Sequence, residues 1–428
     1  MTLLVLPGPV RGRLRPPGDK SVSHRVVLLG GIAEGVVVAR GFLVAADTMA
    51  TVRCMRALGV DVEVTGESVR VAGRGLYGLR APRHVLDVGN SGTTIRLLCG
   101  ILSGHPFEAT LTGDDSIRRR PMDRVIRPLQ KMGASFEAHL GRFAPLRVRG
   151  GVLRAIRYAL PIPSAQVKSA ILLAGLYAEG ETAVTEPQPS RDHTERLLEA
   201  MGASLTVRDL EGGSREITVR GPTQPQGVGL DIPGDLSSAA FFLVGAAAKP
   251  GSDLVVERVG LNPTRTGVLD VLRTMGAHIE VTELDEQGGE PVGTLRVRGA
   301  RLRGVQISGG LIPRLVDELP VLAVAAAVAE GETVVRDASE LRVKESDRIS
   351  AIVRNLRTLG VKAEELPDGF VVRGGRIRGG VVESGGDHRI AMAFAVAGRL
   401  SEEGVRVVDT DCIATSFPEF EAWLRSLS

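Results

Sequence analysis

A Leu/Met-Gly-Ala/Val phrase recurs five times, at Leu58-Gly59-Val60, Met132-Gly133-Ala134, Met201-Gly202-Ala203, Met275-Gly276-Ala277 and Leu359-Gly360-Val361. The glycines stand 74, 69, 74 and 84 residues apart. Upstream of each, apolar residues fall at steps of three and four, as from Asp347-Arg348-Ile349 to Asn355-Leu356-Arg357. That is the period of a half-buried helix. The glycine then reads as the left-handed residue closing it. An alternating segment follows, Val60-Asp61-Val62-Glu63-Val64 in the first copy, and reads as a strand with one wet face.

A second phrase interleaves with the first: a polar start, then a small-residue apolar helix. The starts are Ser21, Ser91, Ser164, Ser237, Asp317 and Asp387, spaced 70, 73, 73, 80 and 70 residues apart. Bodies such as 239–247 and 319–329 are apolar on nearly every side, so these helices belong inside. Ser and Asp at their starts suit N-caps, because their oxygens accept the free N–H groups of the first turn. Six such copies make an α/β chain. At roughly 150 residues per domain, 428 residues suggest two lobes of three copies. The Pro- and Gly-rich stretch 221–227 is the predicted crossover.

Composition narrows the function classes. A 43% hydrophobic share supplies a large core and excludes intrinsic disorder. The net charge of +3 gives no reason to expect a polyanionic partner, and 3% aromatics leaves few stacking platforms for RNA. Cys54, Cys99 and Cys412 are far apart, which predicts reduced thiols rather than disulfides or a zinc cluster. The apolar runs fall short of the ~20 residues needed to cross a bilayer, and the N-terminal segment lacks the basic leader of a signal peptide. The expectation is a soluble, cytoplasmic protein with no membrane partner.

The helix starts carry more polarity than capping needs. They include Gly18-Asp19-Lys20-Ser21-Val22-Ser23-His24-Arg25, Gly89-Asn90-Ser91-Gly92-Thr93-Thr94-Ile95-Arg96, Pro163-Ser164-Ala165-Gln166-Val167-Lys168 and Gly386-Asp387-His388-Arg389. Within a lobe, equivalent helices should point their N-termini the same way. Each N-terminus offers partial positive charge and free N–H groups, which favour phosphate or carboxylate. One Ser cap or one arginine is ordinarily structural. Recurrence across six copies is what points to anion binding. Arg118 and Arg119, in an arginine run before Pro121, carry little weight. The chain has no G-x-x-x-x-G-K-[ST] loop, no H-E-x-x-H pair, no G-x-S-x-G elbow and no G-x-G-x-x-G fingerprint.

Lys20-Ser21, Asn90-Ser91-Gly92-Thr93, Arg120-Pro121, Ser164-Ala165-Gln166, Asp317-Glu318-Leu319-Pro320, Lys344-Glu345-Ser346-Asp347-Arg348, Asp387-His388-Arg389 and Thr415-Ser416-Phe417-Pro418 follow one another in the order found in a known family. Over essentially its whole length the chain resembles the 5-enolpyruvylshikimate-3-phosphate synthases. Arg191-Asp192-His193-Thr194-Glu195, Ser164-Ala165-Gln166-Val167-Lys168 and Asn262-Pro263-Thr264-Arg265 are similar to the class II, often glyphosate-tolerant, branch. The resemblance implies two lobes, each of three repeated βαβαββ units, with the active site in the interdomain cleft. Residues 14–230 would form the first lobe, and 1–13 with 231–428 the second. The implied reaction transfers the enolpyruvyl group of phosphoenolpyruvate to the 5-hydroxyl of shikimate 3-phosphate and releases phosphate. That is a step of the shikimate pathway toward chorismate and the aromatic amino acids. It requires no metal or organic cofactor, and a monomer is expected.

Carried over residue by residue, Lys20, Ser21, Arg25, Ser164, Ala165, Gln166, Arg191, Asp317 and Lys344 would hold shikimate 3-phosphate. Lys20, Gly92, Thr93, Arg120, Gln166, Arg348 and Arg389 would hold phosphoenolpyruvate. Asp317 is the expected base for the 5-hydroxyl, with Glu345 and Lys20 as candidates for the acid. Seven of these residues are cations, matching two polyanionic substrates that would otherwise repel each other. Many relatives have lysine where this chain has Asp411, so that segment contributes no cation here. Tolerant relatives often have alanine at the position of Gly92. The class II wording and Gly92 therefore predict opposite responses to glyphosate. The sister transferase acting on a UDP-sugar usually presents a cysteine on the loop corresponding to 114–120, which here has none. A non-catalytic RNA-binding repeat protein is the rival from another class.

Overall fold

In the computed structural model, which describes residues 1–427, each of the five recurrent glycines follows a helix and has φ between 81° and 117°. The helices they close are Ala46–Ala57, Asp123–Met132, His193–Ala200, Gly267–Thr274 and Arg348–Thr358. A side chain with a Cβ would be strained at those angles, so the recurring glycine is a backbone requirement.

The chain forms two units by contact: Gly18–Ile232 with Glu286–Glu290, and Met1–Pro17 with Pro233–Asp285 and the chain from Pro291 onward. Each has three small sheets and its own hydrophobic core. In the first, Val36–Arg40 runs antiparallel to Ser68–Ala72, which also pairs antiparallel with Asp61–Thr65. Gly229–Asp231 joins Val36–Arg40 in parallel. Glu108–Thr112 and Gly180–Glu186 organise their sheets the same way, with Leu86–Asp87 and Arg157–Ala159 as the parallel strands.

The second unit repeats this plan using strands from the chain's start. Asp253–Gly260 takes Arg11–Leu14 as its parallel neighbour, and Glu332–Val335 takes Gln306–Ile307. In the sixth copy, Val405–Val408 runs parallel to Gly380–Glu383 and antiparallel to Thr2–Val5. That sheet is three-stranded, because the N-terminal strand occupies the place of a hairpin.

The helices Lys20–Ile32, Gly92–Ser103 and Ala165–Gly175 fill the first unit's core, and Leu236–Ala247, Leu319–Val328 and His388–Leu400 the second's. All residues of Leu236–Ala247 are buried, as the absence of a polar face requires. The caps differ from expectation at three starts. Asp19, not Ser21, accepts from Val22 N at 3.0 Å, and Asp235, not Ser237, accepts from Ser237 N at 2.9 Å. Helix Leu319–Val328 has Glu318, not Asp317, at its cap position, without a side-chain cap bond. A carboxylate meets the positive end of a helix more strongly than a hydroxyl does, so the aspartate two residues upstream wins. Ser91, Ser164 and Asp387 do cap. Among the described residues no helix is long and apolar enough to cross a membrane.

Candidate active site

In the unit spanning Gly18–Ile232, the helix starts touch one another. Gln166 bridges two of them: its Oε1 accepts from Arg96 Nη1 at 2.6 Å and its Nε2 donates to Thr93 Oγ1 at 3.0 Å. A Cβ added at Gly92 would stand 2.9 Å from Arg96 Nη1 and 3.0 Å from Arg120 Nη1. Arg120 also donates from Nη2 to Asn90 Oδ1 and Ser116 Oγ, both at 3.0 Å. Gly92, Thr93, Arg120 and Gln166 thus form one cluster. Arg120 is 7% exposed, whereas Arg118 and Arg119 face solvent.

Lys20, Ser21 and Arg25 share the first turns of helix Lys20–Ile32. Lys20 Nζ meets Asp47 Oδ2 at 3.1 Å, so its surroundings are not purely cationic. Arg25 is buried and fully engaged, donating to Thr194 Oγ1 (2.6 Å), Ser169 Oγ (3.0 Å) and Ser21 O (2.9 Å). Burial pulls its guanidinium down to about 10, which still leaves it charged at neutral pH. Between these cations lies His24, whose Nδ1 is 2.7 Å from Thr51 Oγ1. Burial, then the Lys20 and Arg25 charges, push its pKa well below the ordinary histidine value, so it adds no charge. Ser164 and Ala165 open the helix carrying Gln166, and Arg191 precedes helix His193–Ala200.

The other unit gathers its residues around Asp317. Its Oδ1 lies 3.4 Å from Arg348 Nη1 and 3.6 Å from Lys344 Nζ, and its Oδ2 lies 3.8 Å from Arg389 Nη2. Arg389 Nη1 also donates to the Asp317 carbonyl at 3.1 Å. Glu345 Oε2 accepts from Arg348 Nη2 at 2.6 Å. Arg348 is 1% exposed, with Nε donating to Asp387 Oδ2 at 2.8 Å. Burial opposes charge on both partners. Their mutual attraction overcomes it, raising the arginine's pKa above its ordinary value and holding the Asp387 carboxyl below the usual range. Asp317, Lys344, Glu345, Arg348 and Arg389 are therefore one cluster.

A sequence model of the family described as EPSP synthase (3-phosphoshikimate 1-carboxyvinyltransferase) matches residues 5–424. This chain belongs to the EPSP synthase family. A 3-phosphoshikimate 1-carboxyvinyltransferase from Desulforudis audaxviator is 55% identical over 434 residues, covering 100% of this chain and 99% of that protein. One from Alkalilimnicola ehrlichii is 56% identical over 416 residues, covering 96% and 92%. Among solved structures, an EPSP synthase from Acinetobacter baumannii is 44% identical with a TM-score of 0.87, covering 100% and 98%. The α/β architecture of repeated βαβαββ units is the fold of that EPSP synthase.

Several residues of this EPSP synthase-family site carry weak sequence signals. Asp47 lies on another helix and nothing near it marks a partner for Lys20. Arg96 falls one turn after Gly92 on the same helix, a spacing that could have found it. Glu318 accepts from Ser237 Oγ and lies 3.6 Å from Arg389 Nη1, linking two helix starts. Asp411 is exposed and paired with the Met1 amino group. Among the described residues no group of three or more His, Cys, Asp or Glu could hold a metal ion.

Proposed function

We infer that the chain transfers the enolpyruvyl group of phosphoenolpyruvate to the 5-hydroxyl of shikimate 3-phosphate, with release of phosphate, and that both clusters serve this one reaction. The carrying observation is Asp317, a carboxylate within 4 Å of Lys344, Arg348 and Arg389. Without substrate, Asp317 serves as counter-ion to these cations. Arriving phosphate and carboxylate groups compete for the same cations, which raises the basicity of Asp317 when a hydroxyl needs deprotonation. Asp317 takes the 5-hydroxyl proton as that oxygen bonds to the central carbon of phosphoenolpyruvate, while an acid, Glu345 or Lys20, protonates the methylene carbon. Loss of a methyl proton with cleavage of the carbon–oxygen bond to phosphate then restores the double bond and frees inorganic phosphate.

In this reading Lys20, Ser21, Arg25, Ser164, Ala165, Gln166, Arg191 and Lys344 hold shikimate 3-phosphate. Lys20, Gly92, Thr93, Arg120, Gln166, Arg348 and Arg389 hold phosphoenolpyruvate. Arginine forks suit both substrates because they match planar oxyanions with two donors. Glyphosate would compete at the phosphoenolpyruvate contacts, since Gly92 puts no methyl beside Arg120. The three cysteines are unbridged, which supports a reducing, cytoplasmic setting.

Phosphate release measured with both substrates tests the base. Asp317→Ala should lose turnover about 10²–10⁴-fold while keeping its circular dichroism. A near-normal rate would remove Asp317 from the role.

A further inference from the structure

Lys168 lies on the largely buried helix Ala165–Gly175, and its side chain is sealed from solvent. Its Nζ is 2.7 Å from Glu195 Oε1, 3.1 Å from Glu186 Oε1 and 3.3 Å from the Ser190 carbonyl. An ammonium is expensive to bury, and these carboxylates compensate, holding its pKa above the ordinary lysine value. Glu186 in turn accepts from Ser190 N at 3.1 Å and Ser190 Oγ at 2.5 Å. Ser190 is thus held at its amide, hydroxyl and carbonyl. Arg191 follows it directly.

We propose that Lys168 is a positioning residue for shikimate 3-phosphate, clamping the segment that carries Arg191 and, through Thr194, receives Arg25. On one side of Arg191 the clamp grips Ser190. On the other it grips Glu195 in the first turn of helix His193–Ala200. Thr194, next to Glu195, receives Arg25 Nε at 2.6 Å and lies 2.6 Å from Ser169 Oγ, beside Lys168 on its own helix. One buried cation therefore fixes where two guanidiniums stand. The contacts of the phosphoenolpyruvate side, Arg96 to Gln166, Gln166 to Thr93 and Arg120 to Asn90, do not pass through Lys168. Loosening the clamp should therefore act on one substrate and spare the other.

This inference rests on Arg191 and Arg25 as ligands of shikimate 3-phosphate, so Arg191→Ala serves as the reference variant. Two further variants are measured: K168M/E195Q, which removes one buried charge of each sign, and Ser190→Ala, a small change that folds readily. Steady-state KM is determined for each substrate, alongside the melting temperature. K168M/E195Q should raise KM for shikimate 3-phosphate about tenfold, ~1.4 kcal/mol, with KM for phosphoenolpyruvate within about twofold. Ser190→Ala should shift the same constant about threefold, and it decides the matter if the double variant does not fold. If Arg191→Ala raises KM for shikimate 3-phosphate but neither clamp variant does, the positioning role is overturned and the ligand assignment stands. Both KM values rising together with a lowered melting temperature would make Lys168 merely structural and overturn it too. If Arg191→Ala changes nothing, the ligand assignment fails and takes the inference with it.

Discussion

Gly92 opens its helix between two guanidiniums, and its missing side chain is what lets Arg96 and Arg120 approach. Gly92→Ala would push on both, at 2.9 and 3.0 Å, and flexible arginine ends can yield. Under the proposed phosphoenolpyruvate contacts, the methyl would crowd an inhibitor longer than that substrate. Inhibition assays on Gly92→Ala should show the glyphosate constant rising about tenfold or more, and KM for phosphoenolpyruvate rising less. Equal rises would mean that displaced Arg120, rather than the methyl, sets the response. At this scale legibility was uneven. Arg120 was singled out by the family wording Arg120-Pro121, and Arg118 and Arg119, given little weight in the run, are at the surface. In the sequence Lys168 stands only within the Ser164-Ala165-Gln166-Val167-Lys168 wording; its glutamates lie 18 and 27 residues downstream and only the tertiary fold unites them.

The elements followed the sequence where backbone geometry dictated it. Glycines at positive φ, Gly59, Gly133, Gly202, Gly276 and Gly360, made the ends of the five amphipathic helices readable. The starts were readable to within two residues, because Gly18-Asp19 and Gly234-Asp235 offer a better cap than the serines beyond them. Ser91 remains a true cap. It accepts from Thr94 N at 3.1 Å and from Thr94 Oγ1 at 2.7 Å, ending a buried chain that runs through Thr51 to His24. Ser91→Ala should cost about 1–2 kcal/mol in urea unfolding, with Ser91→Thr recovering most of it. An unchanged midpoint for Ser91→Ala would show that the cap contributes nothing there.

Across the molecule, each unit has its own core: Leu28, Leu97 and Leu172 belong to one, Phe242, Val324 and Phe394 to the other. Calorimetry without substrates should therefore give a van't Hoff enthalpy well below the calorimetric one, the mark of units that melt separately. A ratio of one would show that they unfold as a single body. The sixfold repeat was legible at this scale because its period is long and its wording constant. The use of Thr2–Val5 in place of the sixth hairpin was not, since four alternating residues do not name a partner four hundred positions away.

That pairing bears on how the polypeptide is made. Domains emerging from the ribosome generally fold as soon as their residues are available. Gly18–Ile232 has all its sheet partners within its own span. Thr2–Val5 is translated about four hundred residues before its partner and must wait for Val405–Val408. Throughout that wait it is a bare edge that nascent neighbours could capture, so this sheet should be the last part of its unit to close.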